Sequence, residues 1–377
     1  MADEVRSQAA STARAMSRGV GTSKSIASPQ TMSERLSSNN FDLLRLLLAA
    51  TVVVYHTGIL SQQPSLSLLS VWMSGDLGVQ GFYVVSGFLV TMSYDRSRTL
   101  WSYAAKRARR IAPAYLAVVL GAAVLLVFLS TLQWSDYFRH RMWASYVFWN
   151  LLLANFASPD LPGVFLDNYK QAVNGSLWTI KIEVGFYCMV PLMAWLGHRL
   201  GRWRIWWVML ALSLAWRIGF ELAGNMTGTG FWSKLAIQMP GQLSFFILGA
   251  MAYERTRVGL PGPSLPIAVA AAIAYGFSDG LLHELMAPFA VAGMIYWAAI
   301  SCPKLPDFLP QGDISYGIYL YHWPILQVFI ALGWFSAAPV FAAIALFVTV
   351  VVVAAASWIM IERPFLMHRK SHAVIRG

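Results

Sequence analysis

Charge is what this sequence has least of. Only 12% of its 377 residues are Asp, Glu, Lys or Arg, while 57% are hydrophobic; an ordinary soluble domain carries about a quarter charged residues. That shortage excludes a soluble globular fold. It leaves a polytopic α-helical membrane protein, in which length sets the number of spans. Cysteine is nearly absent as well. Cys188 lies within an apolar run and Cys302 sits beside Pro303, which gives neither a disulfide framework nor a metal-ligand set. The chain has no Walker-type phosphate loop, no Gly-x-Ser-x-Gly elbow and no His-Glu-x-x-His motif. Those absences argue against an ATPase, a serine hydrolase and a zinc enzyme, and no metal is expected.

What the sequence has instead is apolar runs. Eleven stand out, at approximately 42–60, 76–94, 111–132, 142–157, 177–197, 203–223, 235–253, 264–280, 285–301, 314–333 and 338–361. The net charge of +11 gathers in the short segments between them, as at Arg96 to Arg110, Arg199 to Arg204, Arg255 to Arg257 and Arg369 to Arg376. Segments 61–75, 278–284 and 334–337 carry no Lys or Arg. This asymmetry reads as orientation in, and contact with, a lipid bilayer rather than nucleic-acid binding. Every basic loop falls on one side only if 142–157, which is short and holds Asn150 and Asn155, does not cross. It is therefore expected as a re-entrant or interfacial piece. The expectation is an all-α bundle of about ten spans with both termini cytoplasmic.

Residues 1–40 are Ser/Ala/Thr-rich and have no apolar core, so they are expected as a disordered cytoplasmic tail rather than a signal peptide. Residues 41–366 are expected as the membrane domain, and 367–377 as a short basic cytoplasmic tail. No two halves carry matching interrupted helices, which weighs against an inverted-repeat transporter.

Within the first run, Arg45 and His56 are eleven residues apart. Eleven residues is close to three helical turns, so both side chains share one face about 16 Å apart along the axis. Ionisable groups in hydrocarbon usually mark a site or pathway. Arg45 is expected near the cytoplasmic end, and His56 a few residues below the outer surface.

The cluster from Lys106 through Arg107 and Arg110 to Pro113 is expected to open the third helix, where a helix N-terminus favours anions. Arg107 and Arg110 are three apart and so neighbours on one face, and guanidinium forks suit phosphate. The plainer reading is an anchor against anionic lipid. In the stretch from Asn174 through Trp178 and Glu183 to Tyr187, Glu183 falls about 8–10 Å below the outer surface, close to the depth of His56. A carboxylate and an imidazole at one depth fit an oriented base; a purely structural polar pair fits equally. Gly78, Gly81, Ser86 and Gly87 offer close helix approach. His322, next to Pro324, reads as a substrate contact or as a satisfied structural histidine. Arg217 and Glu221, one turn apart, read as a local ion pair.

Six elements in this order resemble the acyltransferase 3 family, the bacterial integral-membrane acyltransferases that modify envelope carbohydrates. They are Arg45 with His56, the stretch Phe82 to Leu89, Arg107-Ala-Arg-Arg110 to Pro113, Ser176 through Glu183 to Tyr187, Ile314 through His322 to Pro324, and Glu362-Arg-Pro364. The resemblance implies transfer of an acyl group, usually acetyl, from cytoplasmic acyl-CoA to a sugar hydroxyl at or beyond the outer face. The family's arginine and histidine roles fall on Arg107, Arg110, Arg45 and His56. No extracytoplasmic hydrolase-like domain of the kind larger members carry is expected here, which puts acceptors that depend on that domain in doubt.

The resulting expectation has the acyl-CoA phosphates at Arg107 and Arg110, assisted by Arg45. The pantetheine arm threads past Gly81, Ser86 and Gly87 toward His56. A carbohydrate acceptor contacts Trp178, Asn174, Tyr187 and His322, and His56, oriented by Glu183, acts as general base. The competing class is a transporter of an anionic or lipid-linked sugar with His56 in a proton relay. A third is a membrane sensor that binds acyl-CoA without turnover.

Overall fold

The structure is a computed structural model that describes residues 39–306 and 312–367. The tail expected at 1–40, but for Asn39 and Asn40, and the basic segment 367–377, but for Met367, lie outside the described residues.

Among the described residues all regular structure is helical. Eleven helices of eleven residues or more fall one on each apolar run: α1 Phe41–Leu60, α2 Gly75–Asp95, α3 Leu100–Leu125, α4 Arg141–Leu151, α5 Trp178–Leu200, α6 Arg202–Thr227, α7 Met239–Arg257, α8 Leu265–Phe277, α9 Gly280–Tyr296, α10 Ser315–Ala331 and α11 Pro339–Ser357. Eight helical stretches, those containing α1, α2, α3, α5, α6, α7, α9 and α11, are long and apolar enough to cross a membrane. The other two expected spans are shorter, α8 with 13 residues and α10 with 17. Eleven of the residues of α10 are buried. Protein rather than lipid surrounds it, so its ends need not reach both interfaces.

The expected non-crossing piece folds back as α4. Trp143 Nε1 donates to the Ala123 carbonyl (2.9 Å), and the Tyr115 hydroxyl donates to the Asn150 carbonyl (2.7 Å). From Trp143 to Asn150 the chain thus retraces about 12 Å of α3. It then returns, and the Thr131 amide donates to the Gly163 carbonyl at 3.0 Å.

One helix boundary differs from expectation. A reciprocal capping box between Thr99 and Ser102 starts α3 at Leu100, so Arg107 and Arg110 sit two to three turns inside it and Pro113 is an interior residue. The terminus anion site is therefore not what these arginines use. The cap wins because two polar side chains satisfy backbone donors that would otherwise be orphaned.

α2 and α7 cross at contact distance between backbones. A Cβ on Gly87 would lie 1.9 Å from the Phe246 carbonyl oxygen, and one on Gly249 would lie 2.0 Å from that of Val84. Gly81 faces Leu48 of α1. The glycines of α2 are occupied in packing, which leaves its Ser86 face free to line the interior.

Candidate active site

The end of the bundle that carries the basic loops holds an ion cluster brought together from four elements. Asp313, just before α10, accepts a charge-assisted hydrogen bond from Arg45 on α1 and another from Arg110 Nη2 on α3 at 2.5 Å. Its second oxygen accepts from the Ser315 amide (3.0 Å) and the Ser315 hydroxyl. Burial pushes the Asp313 carboxyl up, but Arg45, Arg110 and the Ser315 donors outweigh it and hold the group down at about 2. Arg110 also lies 3.7 Å from Glu362, which ends a π-helical turn over Trp358–Glu362 and is 1% exposed. Arg45 and Arg110, both expected to hold donor phosphates, are thus largely neutralised by carboxylates of the chain itself.

Arg107 is different. Its Nη2 donates to the Ser93 hydroxyl at 3.3 Å, its guanidinium lies 5.7 Å from the centre of the Tyr187 ring, and its buried Nε has no partner. No carboxylate neutralises it among the described residues, so its charge is available to an incoming anion. Lys106 and Arg96 stand beside it at the mouth of a cavity of about 390 Å³.

That cavity runs along α2 from Arg96 to Val79, seventeen residues or about 26 Å. Glu183 and Tyr187 line its middle, opposite Ser86. Ser86 Oγ and the Tyr187 hydroxyl both donate to Glu183 Oε1, at 3.0 and 2.5 Å. Glu183 is therefore a wall of the cavity and does not hold His56. The matched depths implied such a pairing, but depth says nothing of azimuth, and α5 turns this carboxylate toward α2. Of the residues expected along the donor's passage, Ser86 lines this cavity and Gly81 and Gly87 do not.

At the inner end Phe82 and Tyr319 stand edge to face, with ring centres 5.7 Å apart. Tyr319 is 5.8 Å from His322, and His322 is stacked on His56 at 5.1 Å. His56 Nδ1 lies 2.9 Å from His322 Nε2, while His322 Nδ1 lies 2.7 Å from the Tyr319 carbonyl oxygen. A carbonyl only accepts, so His322 Nδ1 carries the proton and its Nε2 is the acceptor. His56 must then donate from Nδ1, which leaves the Nε2 lone pair of the neutral ring free. Trp323 meets His56 edge-on at 4.7 Å. His322, fully buried, is placed as the partner of His56. Pattern reading did single it out, but its link to His56 spans 266 residues, and no local signal shows it.

Two expected acceptor contacts lie outside this cavity. Asn174 is 4% exposed; its amide donates to the Leu320 carbonyl, and its oxygen accepts from the amide and hydroxyl of Ser176. Its polar atoms are used in joining the entry of α5 to α10. Trp178 is a partly buried packing residue of the core and does not line the cavity. Arg217 pairs with Glu284 rather than with Glu221. Asp313 was not singled out from the sequence; its place two residues before Ser315, as an N-terminal capping acid, is the signal that was there.

The architecture is a multi-pass helix bundle with a cationic cavity and, behind the Tyr319 that lines it, a histidine pair. The family described as an acyltransferase domain matches residues 38–359, and the chain belongs to this acyltransferase 3 family. It is 28% identical to nodulation protein 10 of Rhizobium leguminosarum bv. viciae, over 88% of this chain and 94% of that one. It is also 28% identical to an O-acetyl transferase of Shigella phage Sf6, over 87% and 96%. The exopolysaccharide production protein ExoZ of Rhizobium meliloti (strain 1021) is 28% identical over 80% and 93%. No solved structure matches the chain.

Proposed function

We propose that this acyltransferase moves an acyl group, acetyl foremost, from acyl-CoA to a hydroxyl of an envelope or exported polysaccharide or glycolipid. The basic end faces the cytoplasm of a bacterium, the bundle sits in its inner membrane, and the carbohydrate acceptor enters from the opposite face. The donor's pyrophosphate binds Arg107 and Lys106, and its pantetheine arm lies along α2 past Ser86 toward Phe82 and Tyr319. Residues 41–366 carry the whole machinery.

The observation that carries this reading is the run of two hydrogen bonds from the Tyr319 carbonyl through His322 to His56. It supports reading His56 as a neutral base with Nε2 free. That nitrogen takes the proton of the acceptor hydroxyl as the oxygen attacks the thioester carbonyl. The tetrahedral intermediate collapses, the carbon–sulfur bond breaks, and the coenzyme A thiolate takes the proton back from His56 Nε2–H. Base assistance of this kind is typically worth 10²–10⁴-fold. The relatives' names, an O-acetyl transferase and an exopolysaccharide production protein, support the acyl group and the acceptor class.

Inside-out vesicles carrying the protein, given radiolabelled acetyl-CoA, test it. Coenzyme A release with label in the glycan or lipid fraction is expected from wild type and not from His56→Ala. Label transfer undiminished in His56→Ala would remove the base. Absence of coenzyme A release from wild-type vesicles supplied with glycan extract would remove the donor.

A further inference from the structure

Pro324 lies inside α10, two residues beyond His322. A proline has no backbone N–H, so the carbonyl four residues earlier loses the donor that an unbroken helix would give it. That carbonyl belongs to Leu320, which is fully buried. A buried acceptor left without a donor is costly.

The missing donor comes from another element. Asn174 Nδ2 donates to the Leu320 carbonyl at 2.9 Å, in a buried hydrogen bond across 146 residues. Its Oδ1 accepts from the Ser176 amide (3.2 Å) and the Ser176 hydroxyl (2.7 Å). Those two donors orient the side-chain amide with its nitrogen toward α10. Asn174 thus takes the place of the N–H that Pro324 lacks.

The neighbours of Asn174 grip the same turn. The Tyr319 hydroxyl meets the Thr179 hydroxyl at 2.7 Å and the Ser176 carbonyl at 3.3 Å. Trp323 Nε1 donates to the Ala172 carbonyl at 3.1 Å, and Gly175 lies against the Trp323 ring, where a Cβ would come within 2.4 Å. This turn also carries the histidine pair. Tyr319 supplies the carbonyl that His322 Nδ1 bonds, and Trp323 stands edge-on to His56. The Tyr319 and Leu320 carbonyls belong to adjacent peptide planes that share the Leu320 Cα, so a tilt of one moves the other.

We propose that Asn174 is a positioning residue of the active site. By standing in for the donor that Pro324 removes, it holds the turn in which the Tyr319 carbonyl orients His322 and His322 orients His56. This rests on the reading of His56 as the base. Asn174 itself meets no substrate and acts through the histidines.

The test is a set of double variants assayed for acetyl-CoA turnover in proteoliposomes. Asn174→Ala should lower kcat about tenfold with donor KM near that of wild type. The loss should depend on Pro324 and on His322. In the Pro324→Ala background the helix regains its own donor to Leu320, so adding Asn174→Ala should cost about twofold or less. In the His322→Phe background the relay is already broken, and adding Asn174→Ala should again cost about twofold or less. A purely structural asparagine would cost the same in all three backgrounds. If Asn174→Ala alone does not fold, the unfolding temperature of its combination with Pro324→Ala decides, since only restoration of the Leu320 donor should recover it. Wild-type kcat in Asn174→Ala, an equal loss in all backgrounds, or no recovery by Pro324→Ala overturns the positioning role and leaves the acyltransferase reading intact. Undiminished turnover by His56→Ala overturns the base itself, and the role of Asn174 with it.

Discussion

His56 Nδ1 and His322 Nε2 stand 2.9 Å apart with their rings stacked 8° from parallel, and the Tyr319 carbonyl beyond them decides which nitrogen carries each proton. The order is carbonyl, His322, His56, and its free end is the lone pair on His56 Nε2. An imidazole held by a neutral imidazole gains orientation without a counter-charge. That suits the base proposed for His56, which would give its proton back to a leaving thiolate.

Removing the two histidines is expected to have graded effects. His56→Ala should lower kcat by 10²–10⁴-fold, the usual worth of a positioned base. His322→Phe should keep the base but release its tautomer and angle, with a loss of about 10²-fold in kcat and little change in donor KM. Steady-state kinetics in proteoliposomes measures both. A His322→Phe enzyme with wild-type kcat would show that the second ring does not orient the first.

Arg107 and Arg110 lie three residues apart on α3 but should fail in different ways. Arg107→Gln removes a guanidinium without a carboxylate partner and is expected to raise donor KM while the unfolding temperature in detergent stays near wild type. Arg110→Gln leaves Glu362 unpaired and Asp313 with one arginine. Breaking a buried pair typically costs about 3–5 kcal/mol, so this variant should show a clear drop in unfolding temperature. Equal unfolding temperatures for the two variants would contradict the division.

The Asp313 cluster gives a pH dependence. Its carboxyl titrates at about 2 in the folded protein against its ordinary 3.8, so the fold favours the ionised form. The contribution is complete above about pH 4 and is lost as pH falls toward 2. At about 1.4 kcal/mol per unit it amounts to about 2 kcal/mol. Thermal unfolding from pH 5 to 2 should show wild type losing more stability than Asp313→Asn, which starts lower and falls less. Parallel curves would show that the carboxylate is not held by its arginines.

The crossing of α2 and α7 should tolerate no added carbon. Gly87→Ala places a methyl 1.9 Å from a backbone oxygen, so the helices must part, and stability should fall by about 1–3 kcal/mol. Ser86→Leu, one residue away but facing the cavity, is expected to block donor turnover with a smaller effect on unfolding temperature. The same two measurements, unfolding and coenzyme A release, should therefore move in opposite proportion at neighbouring positions.

The sequence by itself determined the fold class and the positions of the helices. A chain this poor in charge can hide its backbone from lipid only in helices, and each apolar run became one. It also marked His56 and His322 as unusual, because a titratable group in an apolar run is costly wherever it sits, and Arg107 by the basic cluster around it. Tertiary structure decided who meets whom. Asp313 reaches Arg45 across 268 residues, His322 reaches His56 across 266, and Glu183 turns from the expected histidine to Ser86 and Tyr187. Helical periodicity reports depth and face along one axis, but the rotation of each helix against its neighbours is set by packing, as at Gly87 and Gly249. In a medium where an unpaired charge is expensive, that rotation ties Arg45 and Arg110 to a carboxylate and leaves Arg107 open to a ligand.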